Sequence, residues 1–481
     1  MQHCLGRFSV WIVLSTLTLA SAQENVVRNP LAIGTKIEMG QVVSGEPNKT
    51  GEDPDKANLS RMAVSLTQEV TVDRRLDIKA GVGGVFYSVF PDVQGQAGSQ
   101  GVKFGPGITQ AQAAYRFGQN PDKPFAILRA GFFPYKYNPD SKNLGEYLLR
   151  SMPYPTFTFT GSWSIMDAAF VRAQGIQATI FNFDGKLKHD FLITQERDFR
   201  PAGNFTPSYL AEFTAGPFQV GGGVSFFHAF PLDKKRLKSK DMGPSTVYEY
   251  KNAPGFNLVN DPYTGDSLAT PYVHQAGKNL YVTEAELNAI RFENPGFDTL
   301  VGPRDTVEYQ TNGTKLMVRA SFNVQKLVPM PFLNPQDLKV YTEAALLGTK
   351  NQPGYYEKRS ERIPVMFGMN LPTFKVLDML ALEVEYFGSP LPDDYEQVLT
   401  FNYPVYEEYS LLLHNSKNNR KDDWKWSVYG SRTLATGLSV RFQVANDHLR
   451  SIDQATTNFS GKSLMRDPSN WYYVVSLNFG I

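Results

Sequence analysis

The sequence predicts an all-β chain folded as a transmembrane, antiparallel up-and-down β-barrel of about sixteen strands (roughly 14–18). Three observations predict it. Apolar residues recur with period two along many segments, and connections alternate long and short over most of the chain. The chain is also polar on average, with a mean hydropathy of −0.32, yet 13% aromatic. Outside the first residues it holds no apolar run long enough for a spanning helix.

From the N-terminus, Arg7, the apolar run Val10–Leu19 and the small-residue ending Ala20-Ser21-Ala22 predict an export signal over residues 1–22. Arg7 is its only charged residue, so beyond it Lys+Arg balances Asp+Glu. That balance argues against a nucleic-acid partner, which would require a basic surplus. The single cysteine, Cys4, lies in the signal, which excludes a disulfide scaffold. Residues 23–60 are rich in Asn, Gly and Asp and are expected to form a polar segment outside the barrel. Leu31–Val43 is an optional extra strand, and the barrel proper is expected over 61–481.

Strands are then expected at Arg61–Thr71, Arg75–Val89, Pro106–Phe117, Pro124–Pro134, Pro155–Ser164 and Met166–Phe183. The dipeptide Asp184-Gly185 favours a tight hairpin into Leu187–Glu196. Gly216-Pro217 separates Tyr209–Ala215 from Phe218–His228. Further on, Leu316, Val318, Ala320, Phe322 and Val324 alternate with Arg319 and its neighbours, and Leu380, Leu382, Val384 and Tyr386 oppose Glu383 and Glu385. Leu438, Val440, Phe442 and Val444 oppose Arg441. The clearest segment is the last: Trp471, Tyr473, Val475, Leu477, Phe479 and Ile481 form one continuous apolar face.

Counted backward from Ile481, the connections Leu449–Ser469, Gly388–Asp423, Thr349–Arg362, Phe230–Thr314 and Arg197–Pro207 are long. Those between them, Thr433–Thr436, Pro372–Val376, Lys326–Gln336, Gly216-Pro217 and Asp184-Gly185, are shorter. Upstream the rule falters, because Phe90–Gly105 and Tyr135–Tyr154 fall long on the short side. Either one strand is miscounted or Tyr135–Tyr154 folds inward as a constriction or a periplasmic segment, with Asn143–Arg150 as a short helix.

The signal, the aromatic terminal strand and the loop alternation together resemble bacterial outer-membrane β-barrels, porins in particular. That resemblance implies residence in a bacterial outer membrane and places 23–60 in the periplasm. It implies contact with outer-membrane lipid and lipopolysaccharide, insertion by barrel-assembly machinery that reads the C-terminal strand, and a possible homo-oligomer. It also implies passive diffusion of small hydrophilic solutes, with no cofactor. The terminal Ile481 departs from the aromatic residue that usually ends such barrels.

Strand parity projects Arg75, Asp77, Lys79, Arg129, Arg319, Lys339, Glu343, Glu383, Glu385, Arg441 and Asp447 inward as candidate pore-lining residues. Mutual pairing in a filled interior is the competing expectation. Glu383 and Glu385 invite a glycosidase reading, but nothing in the sequence sets two carboxylates around a substrate. The histidines lack metal-binding spacing, no G-x-S-x-G occurs, and Gly221-Gly222-Gly223 lies within a strand. The expectation is therefore a non-enzymatic protein without a bound metal. A second class remains open: the large loop 230–314, with its basic run Lys234–Lys240 and Tyr248, Tyr250, Tyr263, Tyr272 and Tyr281, would bind a polysaccharide or another cell surface.

Overall fold

A computed structural model describes residues 26–45, 58–89, 103–149, 171–195, 205–227, 313–349, 359–388, 422–447 and 467–480, with short pieces at 229–310, 450–463 and 465. Alternation controls the architecture. In Trp471–Gly480, Tyr473, Val475, Leu477 and Phe479 are 39%, 43%, 36% and 41% exposed on the outside, while Tyr472, Val474 and Ser476 are 1%, 3% and 5% exposed. An extended chain turns successive side chains to opposite faces, so this sequence has one apolar outer face and one mixed inner face. Outward Ile33, Met39, Ile108, Phe191, Val220, Val318 and Phe367 continue the apolar band around the molecule.

The barrel staves are β1 (Ala32–Ser44), β2 (Asn58–Val72), β3 (Leu76–Val89), β4 (Lys103–Phe117), β5 (Ala126–Tyr135), β6 (Val171–Asn182), β7 (Leu187–Gln195) and β8 (Phe205–Ala215). They continue with β9 (Phe218–Phe227), β10 (Gly313–Asn323), β11 (Lys339–Leu346), β12 (Val365–Asn370), β13 (Met379–Tyr386), β14 (Trp424–Ala435), β15 (Leu438–Asn446) and β16 (Trp471–Gly480). Each pairs antiparallel with its chain neighbours, and β1 pairs with β16 from Gly34↔Gly480 to Ser44↔Trp471, which closes the ring. Closure leaves no unpaired edge to aggregate.

Short turns gather on one rim. Asp73 and Arg74 (φ 50° and 58°) and Phe183 and Asp184 (φ 52° and 56°) adopt the left-handed backbone of tight hairpins. Gly437, at φ 76°, admits no side chain, because a β-carbon there would lie 2.1 Å from the Gly480 carbonyl. The amide of Gly480 in turn donates to Gly437 at 2.7 Å, fastening the end of β16 to the β14–β15 turn. Long connections leave the opposite rim.

The N-terminal expectation is corrected here. Val26–Arg28 pairs with Val70–Val72, and residues 32–44 form β1, so much of 23–60 is barrel wall rather than a separate segment. The optional strand at Leu31–Val43 is the one that forms. Conversely, β5 pairs directly with β6 from Ala126↔Ile180 to Tyr135↔Val171, leaving no stave between them. The expected strand Pro155–Ser164 lies outside the described residues. With Ala32–Ser44 as a stave and β5 beside β6, the ring holds sixteen. With both changes, the connections after β3 and β5 join the long rim, and the alternation holds around the whole barrel. Ile481 also lies outside the described residues, as does most of loop 230–314. Within that loop, short strand pairs such as Thr246–Tyr248 with Leu280–Val282 are described.

A segment folded into the barrel

The chain leaving β5 enters the barrel interior. Gly131 (φ 120°) lies in β5 so close to β4 that a β-carbon would meet the Ala111 carbonyl at 2.1 Å, a close approach that requires glycine. Beyond Tyr135, all of 136–149 is buried except Lys136, Pro139 and Lys142. The segment ends in a single 3₁₀ turn at Tyr147–Leu149, within the expected short helix at 143–150. Of the alternatives that the sequence leaves open for this stretch, its described residues 136–149 take the inward one.

Four inward carboxylates receive it. Glu343 on β11 accepts from the Tyr137 hydroxyl at 2.6 Å, Asn138 Nδ2 at 2.7 Å, and the amides of Tyr147 at 2.8 Å and Glu146 at 3.1 Å. Glu383 on β13 accepts from the amides of Asn143 at 2.8 Å and Leu144 at 2.9 Å, from the Lys142 amide, and from the Tyr341 hydroxyl at 2.8 Å. Glu385 takes the Tyr147 hydroxyl at 2.7 Å. Asp447 takes Asn143 Nδ2, the Tyr472 hydroxyl at 2.7 Å and Gln443 Nε2 at 3.1 Å. Each fully buried acid is thus met by donors, the condition under which a buried carboxylate is tolerated.

The segment also stabilises itself around a strained residue. Glu146 sits at φ 61°, a left-handed backbone costing about 1–3 kcal/mol outside glycine. Its carboxylate accepts the Asn138 amide at 2.5 Å while its own amide reaches Glu343. Burial first, and the neighbouring Glu343 charge second, push the Glu146 carboxyl up to about 8. Lys142 shifts the other way: burial, then Lys136, lowers its ammonium to about 8.

The other inward charges pair along the wall. Asp77 binds Arg116 at 2.5 Å and the Thr71 hydroxyl at 2.9 Å, and Lys79 meets Glu69 at 3.0 Å. Arg129 donates to Gln177 at 3.0 Å and lies 5.5 Å from the Phe133 ring centre. Arg319 pairs with Glu212, Lys188 with Asp190 at 2.8 Å, and Lys339 with Asp140. Arg441 is exposed on the inner face of β15. Arg75 differs from its expected place on the wall: it lies in the β2–β3 turn, where its guanidinium binds the Gly118 carbonyl at 2.6 Å across to the next turn.

Strand parity thus brings Glu343, Glu383, Glu385 and Asp447 into one site. It missed the residues they hold, Tyr137, Asn138, Asn143 and Tyr147, and the lysines Lys136 and Lys142. Docking of an aperiodic segment has no period to read. Its signs in the sequence are a connection too long for its place in the alternation and the helical stretch Asn143–Arg150. Among the described residues no group of three or more His, Cys, Asp or Glu is placed to hold a metal ion.

No protein-family model matches the chain, and no curated protein matches it. Solved structures that it resembles include a mutant porin of Rh. blastica, at 9% identity and a TM-score of 0.42, covering 95% of this chain and 100% of that one. OmpF of Salmonella typhi in complex with daunomycin aligns at 8% identity and a TM-score of 0.43, covering 94% and 97%. An anion-selective porin from Comamonas acidovorans aligns at 9% identity and a TM-score of 0.42, covering 95% and 100%.

Proposed function

We propose that the protein is a porin-like channel of a bacterial outer membrane, passing small hydrophilic solutes by diffusion through a lumen narrowed by residues 136–149. The observation that carries this reading is the inward segment, docked on the far wall of a closed sixteen-stranded barrel. A barrel of about sixteen strands encloses more than side chains alone fill, whereas about eight strands do not. Half-buried Lys79, Arg116 and Lys188, with exposed Arg441, give its inner face the charged lining of a water path.

The outside supports a membrane setting. A strand of about ten residues rises about 3.3 Å per residue, so tilted at roughly 40° it spans about 25 Å, the height of an outer-membrane barrel's apolar band. Residues 1–22 then serve as export signal, the short-turn rim faces the periplasm, and the long loops face outward toward lipopolysaccharide. Barrel-assembly machinery would insert β16, and a homo-oligomer would bury part of the apolar band. On this reading the chain performs no catalysis.

Proteoliposome swelling tests the proposal. Vesicles holding the folded barrel should swell in small sugars at rates that fall steeply with solute size. Equal swelling with and without protein would overturn it.

A further inference from the structure

We propose that the tip of the inward segment is an anion-selecting surface, formed by Lys136 and Lys142 with Lys339 of the wall, that transiently takes small oxyanions such as phosphate. This rests on the channel reading and adds the sign of the charge it prefers. Within 136–149, Lys136, Pro139 and Lys142 are the residues not buried, so they are the whole surface the segment offers to water. Lys339, which opens β11 beside the short-turn rim, joins them through its ion pair with Asp140.

Asp140 is buried beneath the lysines, one oxygen held by Lys339 and the other without a hydrogen-bond partner. Glu383, the next carboxylate, is filled by amides and the Tyr341 hydroxyl. Each ammonium carries three donors. Lys136 directs one to the Ser141 carbonyl, Lys142 one to the Pro139 carbonyl at 3.3 Å, and Lys339 one to Asp140. The remaining donors are left for water or a solute. Elsewhere on the inner face Lys79, Arg116, Lys188 and Arg319 each face a partner acid, Arg129 donates to Gln177, and Arg441 stands exposed on β15, away from the segment's own lysines in the chain. The charge that the segment turns toward water is therefore positive, because the acids packed around it, Glu343, Glu383, Glu385 and Asp447, are buried and hydrogen-bonded.

The test is the zero-current potential of purified barrels in planar bilayers under a potassium chloride gradient. Wild type should favour chloride, and K136Q/K142Q should lose at least about half of that preference while still conducting. K136R/K142R should keep it, separating charge from structure. Inorganic phosphate should depress the chloride current of wild type more than that of K136Q/K142Q. Lys339 is left intact, because removing it strands Asp140. Heat-modifiable migration checks that each variant folds. A conducting wild type without chloride preference, or an unchanged ratio in K136Q/K142Q, overturns the proposal. A folded wild-type barrel that passes no current instead overturns the channel reading, and the proposal with it.

Discussion

The Tyr137 hydroxyl donates to the Glu343 carboxylate across 2.6 Å, joining the segment that leaves β5 to a strand six places around the barrel. Together with Glu383, eight places from β5, this contact holds the segment across the lumen rather than along its own wall. The carboxylates are fixed by strands, so the segment inherits their rigidity.

Removing one anchor should release the segment without unfolding the wall. Glu383→Ala deletes the acceptor for the Lys142, Asn143 and Leu144 amides and for Tyr341. Stranded buried donors cost about 1–3 kcal/mol each, so docking should weaken by several kcal/mol. Limited proteolysis should then cut within 136–149, while heat-modifiable migration of the barrel persists.

Docking should weaken as pH rises. The docked Glu146 carboxyl is held near 8, above its usual 4.5, by burial and by Glu343. A raised carboxyl pKa means that the docked state binds the proton more tightly. Its contribution is fully present below about pH 4.5 and is lost as pH rises toward about 8. Hydrogen exchange of the Tyr147 and Leu148 amides should therefore accelerate across that window, and Glu146→Gln should flatten the response.

Anion preference should decline as pH rises through about 8, where Lys142 loses its proton because of burial and the nearby Lys136. Lys339, Asp140 and Glu383 also act on Lys142. Lys142→Arg should hold the preference constant, because guanidinium stays charged throughout this range. Zero-current potentials measured from pH 7 to 10 check this, and equal slopes in both proteins would count against it.

The two faces of β16 should respond oppositely to charge. Val475 lies outward at 43% exposure in the apolar band, and Ser476 lies inward. Val475→Arg should cost about 2–4 kcal/mol in a lipid setting, visible as lower yield of folded barrel. Ser476→Thr on the inner face should be nearly neutral.

What the sequence revealed follows from where it is periodic. Alternation in β16 assigned Tyr473 and Val475 outward, and the same parity turned Glu343 and Glu383 inward, because period two admits only two faces. In β1 that signal is diluted by Gly34 and Gly40. At Gly40 a β-carbon would lie 2.0 Å from the Tyr473 carbonyl, so tight pairing with β16 demands the residue that obscures the strand. Lys136 and Lys142 were invisible for a different reason. Their exposure arises only when the residues between them are buried by the far wall.

Single-channel recording of wild type beside a variant with 137–149 replaced by a short Gly-Ser linker tests the central claim most directly. The expected result is discrete conductance steps from wild type and clearly larger steps from the variant, since the segment narrows the path. Steps of equal size would contradict a constriction at 136–149, and silence from both folded proteins would contradict a channel altogether.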